Sequence, residues 1–151
     1  GRFLESKTAP GDDTTFGYGL MLAGSFQVTD ATRLMASGIY GDGVGRYVYL
    51  DFNNGAARIE NGDLETNETY SYNVAVAQQW TNRFSSSLSY GYVEFDDETR
   101  DETQEIIHFS HFYKVAEPVI VGAEISYGDL QLEDGRSADN TRLQASVQYN
   151  F

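Results

Sequence analysis

Apolar and polar residues alternate with a period of two along most of this chain, and no helical periodicity of comparable length competes with it. Residues 16–28 place Phe16, Tyr18, Leu20, Leu22, Gly24, Phe26 and Val28 on one side, against Gly17, Gly19, Met21, Ala23, Ser25 and Gln27. Residues 70–80 set Tyr70, Tyr72, Val74, Val76, Gln78 and Trp80 against Ser71, Asn73, Ala75, Ala77 and Gln79. The same division runs through 84–92, 119–127 and the C-terminal stretch that ends Leu143, Ala145, Val147, Tyr149 and Phe151. Successive side chains of a strand point to opposite faces, so each segment reads as a two-faced strand. Weaker alternation at about 32–41 and 105–116, and a short run at about 2–7, bring the expectation to eight strands.

The connections alternate in length. Short turns fall at 29–31, 81–83 and 116–118, and longer polar segments at about 8–14, 42–68, 96–104 and 128–140. Short turns at one end and long loops at the other are the pattern of an outer-membrane barrel, whereas a soluble sandwich mixes its connections through Greek-key crossings. Charge follows the same division. Six acids stand against two arginines over 42–68, six against one over 96–105, and four against one over 129–139. These segments account for nearly all of the net charge of -13, while the apolar faces named above carry none. Lipid contact supplies a reason for that exclusion, since a charge at the bilayer midplane costs about 2–4 kcal/mol.

Aromatic residues sort by height. With the long loops uppermost, Phe16, Tyr18, Tyr40, Tyr70, Tyr72, Tyr90, Tyr92 and Tyr127 lie near the upper strand ends. Phe26, Trp80, Phe84, Tyr149 and Phe151 lie near the short turns. Two belts with aliphatic residues between them match interfacial girdles. Good strand-forming propensity alone would also enrich Tyr and Phe, but would not gather them at strand ends. The expected fold is therefore all-β: a transmembrane, antiparallel up-and-down β-barrel over residues 1–151 as one domain. Unpaired backbone groups in hydrocarbon are costly, so such a sheet must close. Gly, Ala, Ser, Gln and Asn dominate the opposite faces and would leave the packed interior of an eight-stranded barrel underfilled; in a wide barrel they would border water. That favours the C-terminal part of a larger, porin-sized barrel, with a complete eight-stranded barrel in a structural, adhesion or lipid-modifying role as the alternative. A soluble barrel or sandwich that binds a small apolar ligand is the third reading.

Other classes recede on composition. With 10 Lys plus Arg against 23 Asp plus Glu, the surface is wrong for nucleic acid, whose phosphates need basic partners. With no Cys there is neither a disulfide framework nor a thiolate site. No apolar run approaches the roughly 18–20 residues of a membrane helix, the longest pieces resembling 118-PVIVGA-123.

The ending 143-LQASVQYNF-151 resembles the C-terminal recognition strand of Gram-negative outer-membrane proteins, with Tyr149 and Phe151 as the assembly signal. The run 38-GIYGDGVGRY-47, the strand 119-VIVGAEISYG-128 and the segment 134-DGRSADNTRLQASVQYNF-151 resemble the DcaP-like trimeric porins. That resemblance implies a 16-stranded, homotrimeric porin of the bacterial outer membrane passing small hydrophilic, anionic or neutral solutes. It further implies outer-membrane lipids, lipopolysaccharide and the barrel assembly machinery as partners, with neither cofactor nor catalysis.

Several residues invite chemical readings. The loop 41-GDGVGR-46 has the glycines of a phosphate cradle, but a strand-like 46-RYVYLDF-52 follows where a dinucleotide site needs a helix. Asp42, Gly43 and Arg46 are better read as an outer loop turned toward a pore. His108, Ser110 and Glu124 carry the residue types of a hydrolase triad, and His108 and Ser110 share a face at two-residue spacing. Pore-lining polar residues would look the same. Ile107, Phe109, His111, Tyr113 and Val115 form the better outward set, which leaves an imidazole among lipid-facing positions; a subunit contact or a shifted strand would each account for it. Arg33, Lys114, Glu124 and Arg142 are the charges expected to face inward, where they would set solute selectivity or merely pair within the wall. The acidic loops lack the calcium-loop pattern, so no metal site is expected and a solvated surface is the ordinary reading.

Overall fold

A computed structural model describes residues 1–6, 13–48, 57–60, 62–96 and 102–151. Its strands are β1 (Arg2–Ser6), β2 (Asp13–Thr29), β3 (Thr32–Asp42), β4 (Ala57–Glu60), β5 (Asp63–Thr66), β6 (Glu68–Gln79), β7 (Phe84–Asp96), β8 (Glu102–Ala116), β9 (Val119–Leu132) and β10 (Ser137–Tyr149), with one turn of helix, α1 (Gly45–Val48). Eight strands make one antiparallel sheet in the order β1-β2-β3-β6-β7-β8-β9-β10, and β4 and β5 make a separate hairpin. Each strand of the large sheet lies beside its neighbour in the chain once the hairpin is set aside, which is the up-and-down arrangement expected. Among the described residues β1 and β10 stand at opposite ends of the sheet and share no ladder.

The register makes the two faces continuous. Phe26, Leu34, Val76, Leu88, Phe109, Ile125 and Leu143 are successive cross-strand partners over seven strands. One residue away along each strand, the opposite face runs Ser25, Met35, Ala75, Ser89, His108, Ser126 and Arg142. The apolar residues do not collect in an interior: Phe26 is 69% exposed, Leu22 70% and Leu143 78%. Among the described residues the buried apolar side chains are Val44, Val93 and Phe95. A sheet that exposes one whole apolar face is stable only where that face meets something other than water.

The upper edge of the apolar face is marked by acids. Asp42 lies across from Glu68, and Glu105 from Asp129, which in turn faces Asp139. Below them sits the tyrosine layer, with Tyr70 and Tyr92 ring centroids 5.6 Å apart and Tyr72 and Tyr92 5.3 Å. Tyr40 donates its hydroxyl to Glu68 at 3.1 Å and Tyr92 donates to Glu94 at 2.6 Å, so the phenols reach from the apolar layer up to the charged one. From Glu68 down to Gln78, a rise of about 3.3 Å per residue and a strand tilt of about 40° give an apolar band of about 25 Å, the height of such a band in outer-membrane barrels.

His111 stands on the outward face, as the better register requires, opposite Ser86 and Ala123. Trp80 donates its indole N–H to Ser86 Oγ at 2.9 Å, and the same hydroxyl lies 2.8 Å from His111 Nδ1. Phe84 stacks on the imidazole at 5.6 Å between centroids and Phe109 meets it edge-on at 4.4 Å. The strand assignment therefore stands, and the polar ring is accommodated by a neighbouring serine and two aromatics. Ser86→Ala removes the oxygen shared by the indole and the imidazole. It is expected to lower stability by about 1–3 kcal/mol, read as an earlier denaturant midpoint for the protein folded in vesicles.

Two expectations need correction. The long segment 42–68 is not a bare loop, because it carries α1 and the β4–β5 hairpin. The segment 128–140 is largely strand, since β9 and β10 leave only 133–136 between them, and the described ends of 96–104 are strand too, with β7 reaching Asp96 and β8 beginning at Glu102. Above the apolar band both strand faces carry polar residues, so the alternation fades while the backbone ladder continues. Residues 7–12, 49–56, 61 and 97–101, which belong to the expected loops, lie outside the described residues.

Candidate functional site: the polar face and its inserted segment

The segment after β3 turns onto the polar face. Gly43 takes φ 75°, a left-handed conformation that glycine adopts without strain, and its N–H donates to the Asn67 carbonyl at 2.9 Å. Val44 then drops against Gly19 and Gly41, and is 8% exposed. A Cβ on Gly19 would come within 2.7 Å of Val44 Cγ1, so the absence of a side chain there forms the seat. Gly45 lies beneath Phe95, whose Cε1 would be 3.1 Å from an added Cβ. Tyr47 N–H donates to the Val44 carbonyl at 2.8 Å, and the Arg2 guanidinium lies 5.4 Å from the Tyr47 ring centre. At the base of the hairpin Arg58 Nη1 donates to Asn67 Oδ1 at 2.9 Å and to the Thr66 carbonyl at 3.2 Å. A cavity of about 310 Å³ lies below α1, bordered by Met21, Ile39, Asn73, Val93 and Ile106 on the same face.

The expected site residues fall as follows. Gly43 begins this inserted segment and Arg46 lies in α1, its side chain being outside the described atoms. Asp42 ends β3 on the side of Tyr40 and Leu34, opposite Tyr18, so it belongs to the acidic rim and not to the polar face. Arg33, Lys114, Glu124 and Arg142 all share the polar face. Arg33 Nη2 donates to Ser25 Oγ at 2.7 Å. Lys114 sits at the short-turn end, where both Glu117 carboxylate oxygens lie 3.0 Å from its ammonium. Tyr149 closes β10 opposite Val119, and Phe151 follows it fully exposed.

Glu124 is the centre of a cluster. It accepts from Ser110 Oγ at 2.7 Å through Oε2, while Oε1 lies 3.1 Å from His108 Nδ1 and 3.5 Å from Arg142 Nη2. Spacing brought His108, Ser110 and Glu124 together on paper, and the register adds Arg142, which sequence alone did not link to them. The order is not that of a hydrolytic triad. The carboxylate stands between hydroxyl and imidazole, where nucleophilic catalysis requires the base between nucleophile and acid.

No protein-family model matches the chain, and no curated protein matches it in sequence. In structure it is similar to the outer membrane channel DcaP of Acinetobacter baumannii, with a TM-score of 0.81 and 21% sequence identity. The sheet shares its fold with part of that channel. The likeness covers 99% of this chain and 45% of the channel's, so the chain spans about half the channel's length. On the polar face, the inserted segment and the Glu124 cluster stand out from rows of small and polar residues interspersed with apolar ones such as Met35 and Ile106. The glycine seat went unread in the sequence, although Gly17, Gly19 and Gly41 share one face near the strand tops and could have signalled a close approach.

Proposed function

We propose that this chain forms part of the wall of an outer-membrane porin, through which small hydrophilic solutes diffuse passively. One observation carries the reading: seven consecutive strands expose an uncharged apolar row on one side and a polar row on the other, with 43–48 seated on the polar side. Lipid contact explains the first row, a water-filled lumen the second, and a size-limiting insertion the seat. The larger barrel of about 16 strands, the homotrimer, and contact with lipopolysaccharide and the assembly machinery belong to this proposal and follow from the family resemblance. So does a preference for anionic over cationic solutes, supported by Arg33, Lys114 and Arg142 on the polar face. Transport of this kind needs no catalytic step and no cofactor.

The test is reconstitution of the full-length gene product into planar bilayers. Stable ohmic steps that close in thirds, and reversal potentials displaced toward the anion in a salt gradient, are expected. A folded protein that inserts into bilayers and passes no current would overturn the reading and leave the small barrel in its place.

A further inference from the structure

Lys114, Arg33 and Arg142 share the polar face, and the wall treats them differently. Lys114 is tied at the short-turn end by both oxygens of Glu117. Among the described residues Arg33 is held by a serine hydroxyl. Arg142 alone meets a carboxylate that is itself fixed from two sides: Glu124 Oε2 accepts from Ser110, which is 6% exposed, and Oε1 meets His108 Nδ1. The Glu124 side chain is 28% exposed, half-set into the wall, and Arg142 lies beside it on β10 across the β9–β10 ladder. At 3.5 Å, Nη2 makes a long contact with Oε1, and the guanidinium has five N–H groups.

We infer that Arg142 is an oxyanion contact for permeating solutes and that Glu124, clamped by Ser110 and His108, is its positioning residue. This rests on the porin reading. A guanidinium offers planar, two-pronged recognition of carboxylate or phosphate only when its orientation is fixed. A free arginine on a water-facing wall samples many rotamers, and each must be given up when an anion binds. Glu124 removes that freedom in advance, while also cancelling part of the positive charge. Its two effects therefore oppose each other, and that opposition makes the assignment testable.

Inorganic pyrophosphate added to one side of a planar bilayer holding the full-length protein serves as the probe, read as brief interruptions of single-channel current. Glu124→Gln leaves Arg142 unopposed, so the reversal potential in a salt gradient shifts toward the anion. The interruptions nevertheless shorten, by about fivefold, the effect of losing one partly exposed ion pair. Ser110→Ala alters no charge: the reversal potential stays at the wild-type value and the interruptions shorten about threefold. Arg142→Gln abolishes them. Interruptions in Glu124→Gln as long as in the wild type, or longer, would overturn the assignment, because Glu124 would then act as a counter-charge alone. So would wild-type-length interruptions in Ser110→Ala or Arg142→Gln. A conducting wild-type channel that pyrophosphate never interrupts removes the contact and leaves the porin intact, whereas absence of conductance from the wild type strikes the porin itself.

Discussion

Val74→Arg is expected to block folding into bilayers, and Ala75→Arg, one residue along, is expected to leave it intact. Val74 lies on the apolar face between Ala36 and Tyr90, and is 46% exposed. Ala75 lies on the polar face between Met35 and Ser89. Neither substitution disturbs the backbone ladder, because β6 pairs with β3 and β7 through main-chain groups on either side. The difference lies wholly in the solvent each side chain meets. An arginine at the middle of a lipid-facing strand costs about 2–4 kcal/mol, a large fraction of the stability of a domain this size. An arginine at a water-facing position costs little and adds a charge to the proposed lumen. Refolding from urea into vesicles, followed by the shift in gel mobility between unheated and heated samples, reads both outcomes. Equal folding of the two variants would remove the lipid assignment, and with it the porin proposal.

The features legible in the sequence were those that the surrounding solvent dictates at every residue. An apolar surrounding on one side and a polar one on the other force a strict period of two, so Leu20, Leu22, Val74, Val76, Leu88 and Ile125 all announced their face, and the short turns at 29–31 and 81–83 announced the pairing order. Where both faces meet water that constraint lapses. The upper ends of β7, β8, β9 and β10 therefore looked like loops although their ladders continue. Short elements carry too few residues for any period, which hid α1 and the β4–β5 hairpin of four residues per strand. Contacts fixed by register were legible only in part. His108 and Ser110 share a strand and so could be paired by eye. That Arg142 reaches Glu124, and that Ser86 and Trp80 serve His111, depends on how β6 to β10 are staggered. The apolar alternation sets which face a residue takes but not which neighbour it meets along that face.

Val44→Asp is expected to raise the single-channel conductance of the reconstituted protein markedly while leaving it folded, whereas Gly41→Val abolishes folding. Both residues belong to the same seat, yet they act through different atoms. Val44 contributes a side chain to the seat, resting on Gly19 and Gly41, and takes no part in the strand ladders. Burying a valine contributes about 1.5–3 kcal/mol, and a carboxylate cannot occupy an apolar hole of that kind unpaired. The segment 43–48 would then leave the wall, and the lumen would widen where it had been seated. The eight-stranded sheet, whose pairing does not pass through Val44, keeps its register. Gly41 stands inside that pairing, opposite Gly19, and a Cβ there would lie 2.5 Å from Gly19 Cα. Backbone atoms cannot swing aside as a flexible side chain can, so β2 and β3 would have to separate at the level where the seat forms. Gly19→Ala falls between the two, since its Cβ would press first on the Val44 side chain at 2.7 Å, and a modest rise in conductance with normal folding is expected. Unchanged conductance in Val44→Asp would show that 43–48 does not limit the pore, and the constriction would then have to be sought elsewhere along the polar face.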